Sequence, residues 1–593
     1  MLNVDKVRSV GSALLNDNGR VLNNFTDEKE PNKSRNVPLE EFLYEAKLQR
    51  DREASPEYQD TAPAVSLWDL FKSNMIKNKN IGSVRKIGER AKQEQKYESP
   101  TKELKAKGDI IVSTESLSES LENANRMARS ASWGSIFFLI TTDILGPSSA
   151  PFAISELGYV PGSLLYFLFG VAAVYTGILL WRMFLKLDSI KYPIKNYGDI
   201  VGRTCGSTTR YCIDLLQSIQ LLCNVAVIIL GNGQSLSQMA KGKGCYTVLI
   251  FVWAIVGMIV GQIRSLQRYG FLANFAVWLN IFVIIVTTAV VSNLGPNIAA
   301  AQGTRPSGKS ISPGPVATHA IIYMKNKKIF QSQLSSCMNM VYSYGGAMVF
   351  AEFMAEMRRP WDFWKGMISA QTFIFAIYLI YGLVVYSQQG QFVANPANQG
   401  ISDSKWAWQT VCNAVSLVAS LLAAGLYGNV GVKVVYETFF RRLLRFPSLE
   451  CKFGRVIWIF AVIIYWAISF VIAAAIPHLS DLVTLVGAVC ILQFSYTFPP
   501  IMLFVLSIRI SAMKDDEGYD PSTKEVRRVD TWKNASRWIR GYKQRWVFNT
   551  INFIVFLASL TTAALGIYSS GESLASDFES GASSSFTCKS PVA

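Results

Sequence analysis

The chain is poor in the residues that most enzymes use for chemistry. It has only 2 histidines in 593 residues, His319 and His478, and they fall in different polar loops. The 9 cysteines are scattered, mostly inside apolar runs, with no Cys-x-x-Cys or Cys/His metal spacing. They read as small buried hydrophobes, and no metal site or cofactor is expected. Cys245 and Cys588 both fall on the expected outer side, and the sequence leaves open whether they pair. A phosphate-binding glycine loop and a nucleophile elbow are missing too. These absences argue against an enzyme and against an ATP-driven pump. Composition does not exclude a channel, but neither a repeated filter-like loop nor an arginine-rich voltage sensor is visible. The first 132 residues hold no long apolar run. No cleavable signal peptide is therefore expected.

Beyond residue 132 the pattern reverses. Apolar runs of membrane-spanning length recur almost to the end, a pattern foreign to soluble domains. Eleven transmembrane helices are expected, near 133–157, 161–185, 211–240, 245–263, 270–293, 331–357, 366–387, 407–438, 456–476, 480–508 and 546–568. With the N-terminus inside, the inner loops hold 25 lysines and arginines and the outer segments 9. That asymmetry sets the N-terminus in the cytosol and the C-terminus outside. The net charge of +16 is thereby explained as topology and attraction to the bilayer surface, and nucleic acid is not an expected partner. Three regions follow: a cytosolic tail over 1–132, disordered for the most part; a transmembrane domain over 133–570; and a short extracytoplasmic tail over 571–593. Two islands in the first tail have ordering potential, Pro38–Glu53 and Val65–Phe71, and both are suited to docking on the membrane or on the inner surface of the protein.

Two of the expected spans should break. The first contains Asp143-Ile144-Leu145-Gly146-Pro147-Ser148-Ser149-Ala150-Pro151. Gly146 costs a helix about 1 kcal/mol against alanine, and Pro147 and Pro151 each lack an N–H and clash with the preceding turn. A carboxylate at membrane depth adds about 2.5–3.5 kcal/mol on insertion scales. Unwound backbone survives in a membrane only where protein covers it or where it lines a watery cavity. The sixth span is interrupted at Gly345-Gly346, flanked by Tyr342 and Tyr344 and followed by Glu352 and Glu356 on one face. Matching interruptions five spans apart point to an inverted-repeat transporter. Freed N–H groups attract a carboxylate and freed carbonyls hold an ammonium group or cation, so opposed breaks suit an α-amino acid. Leu145, Gly146, Pro147, Ser148 and Ser149 at one break, with Tyr342, Tyr344, Gly345 and Gly346 at the other, are the expected substrate-binding residues.

Coupling or gating is assigned to Asp143, Glu352, Asn224 and Ser420. Asp143 suits a proton carrier or amine partner, and equally a half-helix cap. Glu352 suits a relay or gate, and equally a structural hydrogen bond. Glu356 is expected to pair with Arg358 or Arg359. Gln217, Gln220 and Asn224 share a helix face and either line the path or bind helices together. Ser416, Ser420 and Tyr427 share a face in the eighth span, near Asn429. Lys433 and Glu437 read as a structural pair, and Tyr342, Tyr344, Phe350 and Phe353 as either a side-chain pocket or plain packing.

The run Gly146-Pro-Ser-Ser-Ala-Pro-Phe-Ala-Ile-Ser-Glu-Leu-Gly158-Tyr-Val-Pro-Gly162 resembles the first-span motif of the amino acid/auxin permease family. Tyr342-Ser-Tyr-Gly-Gly-Ala-Met-Val-Phe-Ala-Glu-Phe-Met-Ala-Glu-Met-Arg-Arg-Pro360 resembles its sixth-span motif, and Tyr175-Thr-Gly177 and Gly428-Asn-Val-Gly431 are similar as well. The resemblance covers about residues 130–570 and is strongest to fungal members; Ile144 departs from it, standing where the family commonly has glycine, and Pro147 is also unusual. It implies an all-α membrane protein of the leucine-transporter-like fold: a five-plus-five inverted repeat with broken first and sixth helices and one extra C-terminal helix. The implied activity is proton-coupled amino acid symport by alternating access, with neutral amino acids as the first expectation. No residue forces proton over sodium. By resemblance, the eighth span faces the first break. The alternative is an amino-acid sensor of the same fold that signals through the cytosolic tail. The plasma membrane is the expected location, with the vacuolar membrane as the alternative.

Overall fold

A computed structural model describes residues 37–54 and 131–579, apart from 265, 306–310, 312–313, 445, 447–451 and 477, together with Cys588. The expected island Val65–Phe71 and most of the 1–132 tail lie outside the described residues.

The other island forms helix α1 (Leu39–Ala54), with Glu40 and Glu41 in its first turn and Arg52 in its last, as the helix dipole favours. The first expected span is two short helices, α2 (Trp133–Ile144) and α3 (Ala150–Leu157), joined through a 3₁₀ turn at Pro147–Ser149. Next come α4 (Tyr159–Leu187), α5 (Tyr197–Cys205), α6 (Ser207–Met239), α7 (Tyr246–Val260), α8 (Leu266–Val291) and α9 (Ile298–Gly303). The sixth expected span is also two pieces, α10 (Lys327–Ser343) and α11 (Phe350–Glu356). There follow α12 (Phe363–Gln389), α13 (Trp406–Val435), α14 (Lys452–Ala475), α15 (Leu479–Val486) and α16 (Phe498–Ser511), the last two linked by π-helical turns at Gly487–Ile491 and Gln493–Thr497. A small antiparallel hairpin, β1 (Gly518–Asp520) and β2 (Glu525–Arg527), precedes α17 (Ala535–Gln544) and α18 (Trp546–Glu579).

Among the described residues, 8 helical stretches are long and apolar enough to cross a membrane, and α2 and α7 are shorter apolar helices. The two broken elements fall below the length of a full span because they are broken. The last helix runs to Glu579, beyond the expected end near 568.

α1 docks on the end of α4, on α5 and on the hairpin. Leu39, Phe42 and Ala46 are buried there. Ion pairs tie its polar side to the rest of the protein. Glu40 takes two bonds from Arg528 at 2.8 and 2.9 Å, and Lys191 reaches Glu41 and Glu45 at 3.0 Å each. Arg50 reaches Asp188 at 3.3 Å. Burial pushes the Glu40 carboxyl up, but the hydrogen bonds and charge of Arg528 outweigh it and hold it below the ordinary carboxylate value. At the other end of the molecule a disulfide joins Cys245, ahead of α7, to Cys588. That settles the pairing the sequence leaves open.

Candidate functional site

The first break follows from its residues. Ile144 ends α2, Gly146 bends back so that its N–H lies 2.7 Å from the Ile144 carbonyl, and Pro151 starts the next helix without a donor. Around this break the side chains are buried, yet Gly146 itself is exposed, and a Cβ built there meets nothing nearer than the Ile144 oxygen at 4.0 Å. The break therefore opens onto free space. Ser148 and Ser149 border it, half-buried.

The second break lies against the first. α10 ends at Ser343, Tyr344 caps it, and Gly346 begins a 3₁₀ turn. A Cβ on Gly346 would stand 2.5 Å from a carboxylate oxygen of Asp143 and 2.7 Å from the Ile144 side chain, so only glycine leaves room for both. Gly345 packs on Ile491 of the π-helical segment. Asp143 is 8% exposed, and neither of its carboxylate oxygens has a hydrogen-bond partner among the described residues. The Tyr427 phenol lies beside it and donates to the Asp143 backbone carbonyl at 2.8 Å. Tyr342 is within electrostatic reach of the same carboxylate. A buried carboxylate left without a donor at a helix break can take a proton or hold a cation.

The remaining expected residues divide. Gln217 of α6 donates to Glu352 and to the Met348 carbonyl, both at 3.1 Å, which ties Glu352 to α6 below the second break. Among the described residues the other Glu352 oxygen is buried without a hydrogen-bond partner, as are the side-chain carbonyl oxygens of Gln220 and Asn224. The hydroxyl of Tyr344 points to the Tyr166 carbonyl of α4 at 3.1 Å, so its ring flanks the break while its polar end is spent elsewhere. Ser420 donates toward Asn232 of α6 at 2.9 Å. Along α13 it lies seven residues from Tyr427, about 10 Å at the helical rise, so it sits well away from the Asp143 carbonyl. Glu437 pairs with Arg441 at 3.1 Å, and the charge of Lys433 faces Glu356 instead, across to the other broken helix. The expected Lys433–Glu437 pair thus gives way to a local partner for Glu437, Arg441 four residues on, and to a tertiary one for Lys433.

Two residues enter the site that sequence reasoning missed. Asn280 of α8 donates to the Leu145 carbonyl at 3.3 Å. It is one of two asparagines, with Asn274, in the otherwise mainly apolar α8. Tyr378 of α12 brings its hydroxyl to both breaks, within 2.6 Å of the Ile144 carbonyl and 3.0 Å of the Ser343 carbonyl.

Both ends of the broken pair are closed. On one side Ala131 and Met357 form a β-bridge, with the Arg358 N–H on the Ala131 carbonyl at 3.1 Å. On the other, Glu156 at the end of α3 is bonded by Arg305 and by Ser332 of α10. Gly158, at φ 93°, then lets the Tyr159 and Val160 amides meet the His319 and Ala320 carbonyls.

Residues 129–513 match the family model described as transmembrane amino acid transporter protein. The chain is 24% identical over 381 residues to a protein named transmembrane transporter from Fusarium pseudograminearum, covering 63% of this chain and 75% of the relative. It is 25% identical over 381 residues to a protein of Neurospora crassa named N amino acid transport system protein, again covering 63% and 75%. The family match stops at residue 513, short of α17 and α18.

Proposed function

Since the chain belongs to the transmembrane amino acid transporter protein family, we propose that it is a secondary active carrier of neutral amino acids, driven by symport with protons. Eleven spans, arranged as two inverted five-helix repeats and a final helix, are part of this proposal. The observation that carries it is the contact between the two breaks, where Gly346 of one touches the orphan carboxylate of Asp143 in the other. The amino acid lies across Leu145–Ser149 and Tyr342–Gly346, its ammonium toward the freed carbonyls and its carboxylate toward the freed amides. Asp143 takes up the coupling proton, and Glu352, held by Gln217, gates the inner side, with Asn224 two turns along α6 from Gln217. Ser420 acts more remotely, through Asn232. The closures at Ala131–Met357 and Glu156–Arg305 are the two doors that alternate. A cytosolic N-terminus fits the basic loops, and an external C-terminus fits the Cys245–Cys588 disulfide, because disulfides persist in oxidising compartments. The membrane of residence is the plasma membrane on this reading.

The test is uptake of a panel of neutral amino acids into proteoliposomes, with and without an inward proton gradient, for wild type and Asp143→Asn. Gradient-stimulated uptake that is lost in the variant is expected. Stimulation that survives in the variant removes Asp143 from coupling and leaves Glu352. Binding without uptake would turn the reading to a sensor, for which the docked helix α1 offers a route from the site to the tail.

A further inference from the structure

Opposed helix breaks leave backbone groups without helical partners. Here the Ile144 and Ser343 carbonyls end α2 and α10, and the Gly146 amide lies just beyond the first break. A single side-chain atom reaches all three. The Tyr378 hydroxyl stands 2.6 Å from the Ile144 oxygen, 3.0 Å from the Ser343 oxygen and 3.1 Å from the Gly146 nitrogen.

The chemistry of that arrangement is incomplete. A phenol carries one proton. It accepts from the Gly146 N–H, which is shared with the Ile144 carbonyl at 2.7 Å, and donates to one carbonyl at a time, so the Ile144 and Ser343 oxygens compete for one hydroxyl proton. An α-amino acid brings what the phenol lacks. Its ammonium group has three N–H donors, enough for both carbonyls, and its carboxylate accepts from the amide more strongly than a neutral oxygen does. The unpartnered carboxylate of Asp143, one residue before Ile144, adds a counter-charge for the ammonium. Space is also present on the Gly146 side, where the residue is exposed and its built Cβ meets only one atom, at 4.0 Å. The Tyr378 ring leans on Tyr166 and Tyr344, each 5.8 Å away between centroids, an aromatic seat that does not depend on the hydroxyl.

We propose that Tyr378 is a built-in stand-in for the main chain of the substrate: its hydroxyl holds the backbone groups of both breaks between transport events and yields them to an amino acid with a free α-ammonium and a free α-carboxylate. This rests on the transporter reading above. It makes Tyr378 a competitor of the substrate, with a consequence opposite to that of a positioning residue. Removing a positioning hydroxyl weakens binding, whereas removing a competing one strengthens it. It also sets a substrate rule. An N-acetylated amino acid lacks the donors, and a decarboxylated amine lacks the acceptor, so neither displaces the phenol.

The experiment uses the full-length protein in proteoliposomes. The probe is the best carried of the twenty standard L-amino acids, with its N-acetyl derivative and its decarboxylated amine as controls. Tyr378→Phe is expected to lower KM for the amino acid by about two- to tenfold, the worth of one net hydrogen bond, while neither control gains entry. A raised or unchanged KM overturns the proposal. Should the variant fail to accumulate, 3-fluorotyrosine placed at position 378 of the otherwise unchanged protein gives a second readout. Its fluorine resonance should move when the amino acid saturates the site and stay put with the N-acetyl derivative. A resonance unmoved by a saturating amino acid overturns the proposal. If wild type neither binds nor carries any amino acid, the transporter reading itself fails, an outcome distinct from wild-type uptake with an unchanged Tyr378→Phe KM.

Discussion

Substituting Gly346 tests whether the two breaks touch in the working protein. An alanine methyl group there would lie 2.5 Å from an Asp143 oxygen, with Ile144 side-chain carbons at 2.7 and 2.9 Å, whereas ordinary contact begins near 3.4 Å. The gap must open by roughly 1 Å, and neither neighbour yields easily. Asp143 is held through its carbonyl by Tyr427, and Ile144 through its carbonyl by Tyr378. Overpacking of this kind costs about 1–3 kcal/mol, equivalent to about 5- to 150-fold in an equilibrium constant. The penalty falls on the form of the protein in which the breaks are in contact. Gly346→Ala should therefore lower kcat/KM for uptake within that range while membrane abundance stays near wild type. Gly134→Ala in α2 is the matched control, because its methyl would meet only the Ser132 hydroxyl, at 3.8 Å, an ordinary contact. Its effect should be several-fold smaller. The assay is initial-rate uptake in proteoliposomes, normalised to protein incorporated. Wild-type kinetics for Gly346→Ala, or equal damage from both alanines, would refute the contact and with it the geometry assigned to the site.

Three further expectations follow from groups outside the bilayer. Arg528→Glu strips the buried Glu40 of its partner and adds a like charge, so α1 should undock at a cost of about 1–3 kcal/mol, read as faster hydrogen exchange over residues 39–54. Because the folded Glu40 carboxyl titrates below its ordinary value, the pair contributes fully above that value and is lost as pH falls through the depressed one. In wild type, exchange over 39–54, corrected for the intrinsic rate, should stay slow through neutral pH and rise only in acid; a rise already near neutrality would show that the pair is not what holds the helix. For orientation, a membrane-impermeant maleimide on intact cells should label wild type only after reduction, and Cys588→Ser without reduction through the freed Cys245. Labelling of the Cys588→Ser variant that requires permeabilised cells would invert the proposed topology.

How much of this was legible depends on where each feature stores its information. The breaks were readable because Gly146 and the Gly345-Gly346 pair weaken a helix, while Pro147 and Pro151 remove the backbone donors its interior needs. Asp143 was readable because a carboxylate within an apolar run has few reasons to be there. The docked α1 showed its acidic start and basic end locally. Pairings were less legible. Lys433 and Glu437 have ideal helical spacing, yet Glu437 takes Arg441, which stands at the same spacing on its other side, and Lys433 faces Glu356; spacing alone neither chooses between two local candidates nor reveals a tertiary neighbour. Ser420 shares a helix face with Tyr427, but that face crosses two environments, Asn232 at one level and Asp143 at another.

Tyr378 marks the limit of this kind of reading. It lies on a buried face of α12 with Gln371, Ile374, Tyr381 and Val385, a periodicity that announces a packed helix and nothing more. Its partners are the carbonyls of Ile144 and Ser343 and the amide of Gly146, which are backbone groups. Every residue carries such groups, so no complementary side chain elsewhere in the chain betrays the contact. The breaks themselves were the available clue. Each unwound turn must find partners for the groups it frees, and in a segment as apolar as this one the candidates on neighbouring helices are few. A search limited to hydroxyls and amides at mid-depth of the adjoining spans would have turned up Tyr378 and Asn280 together.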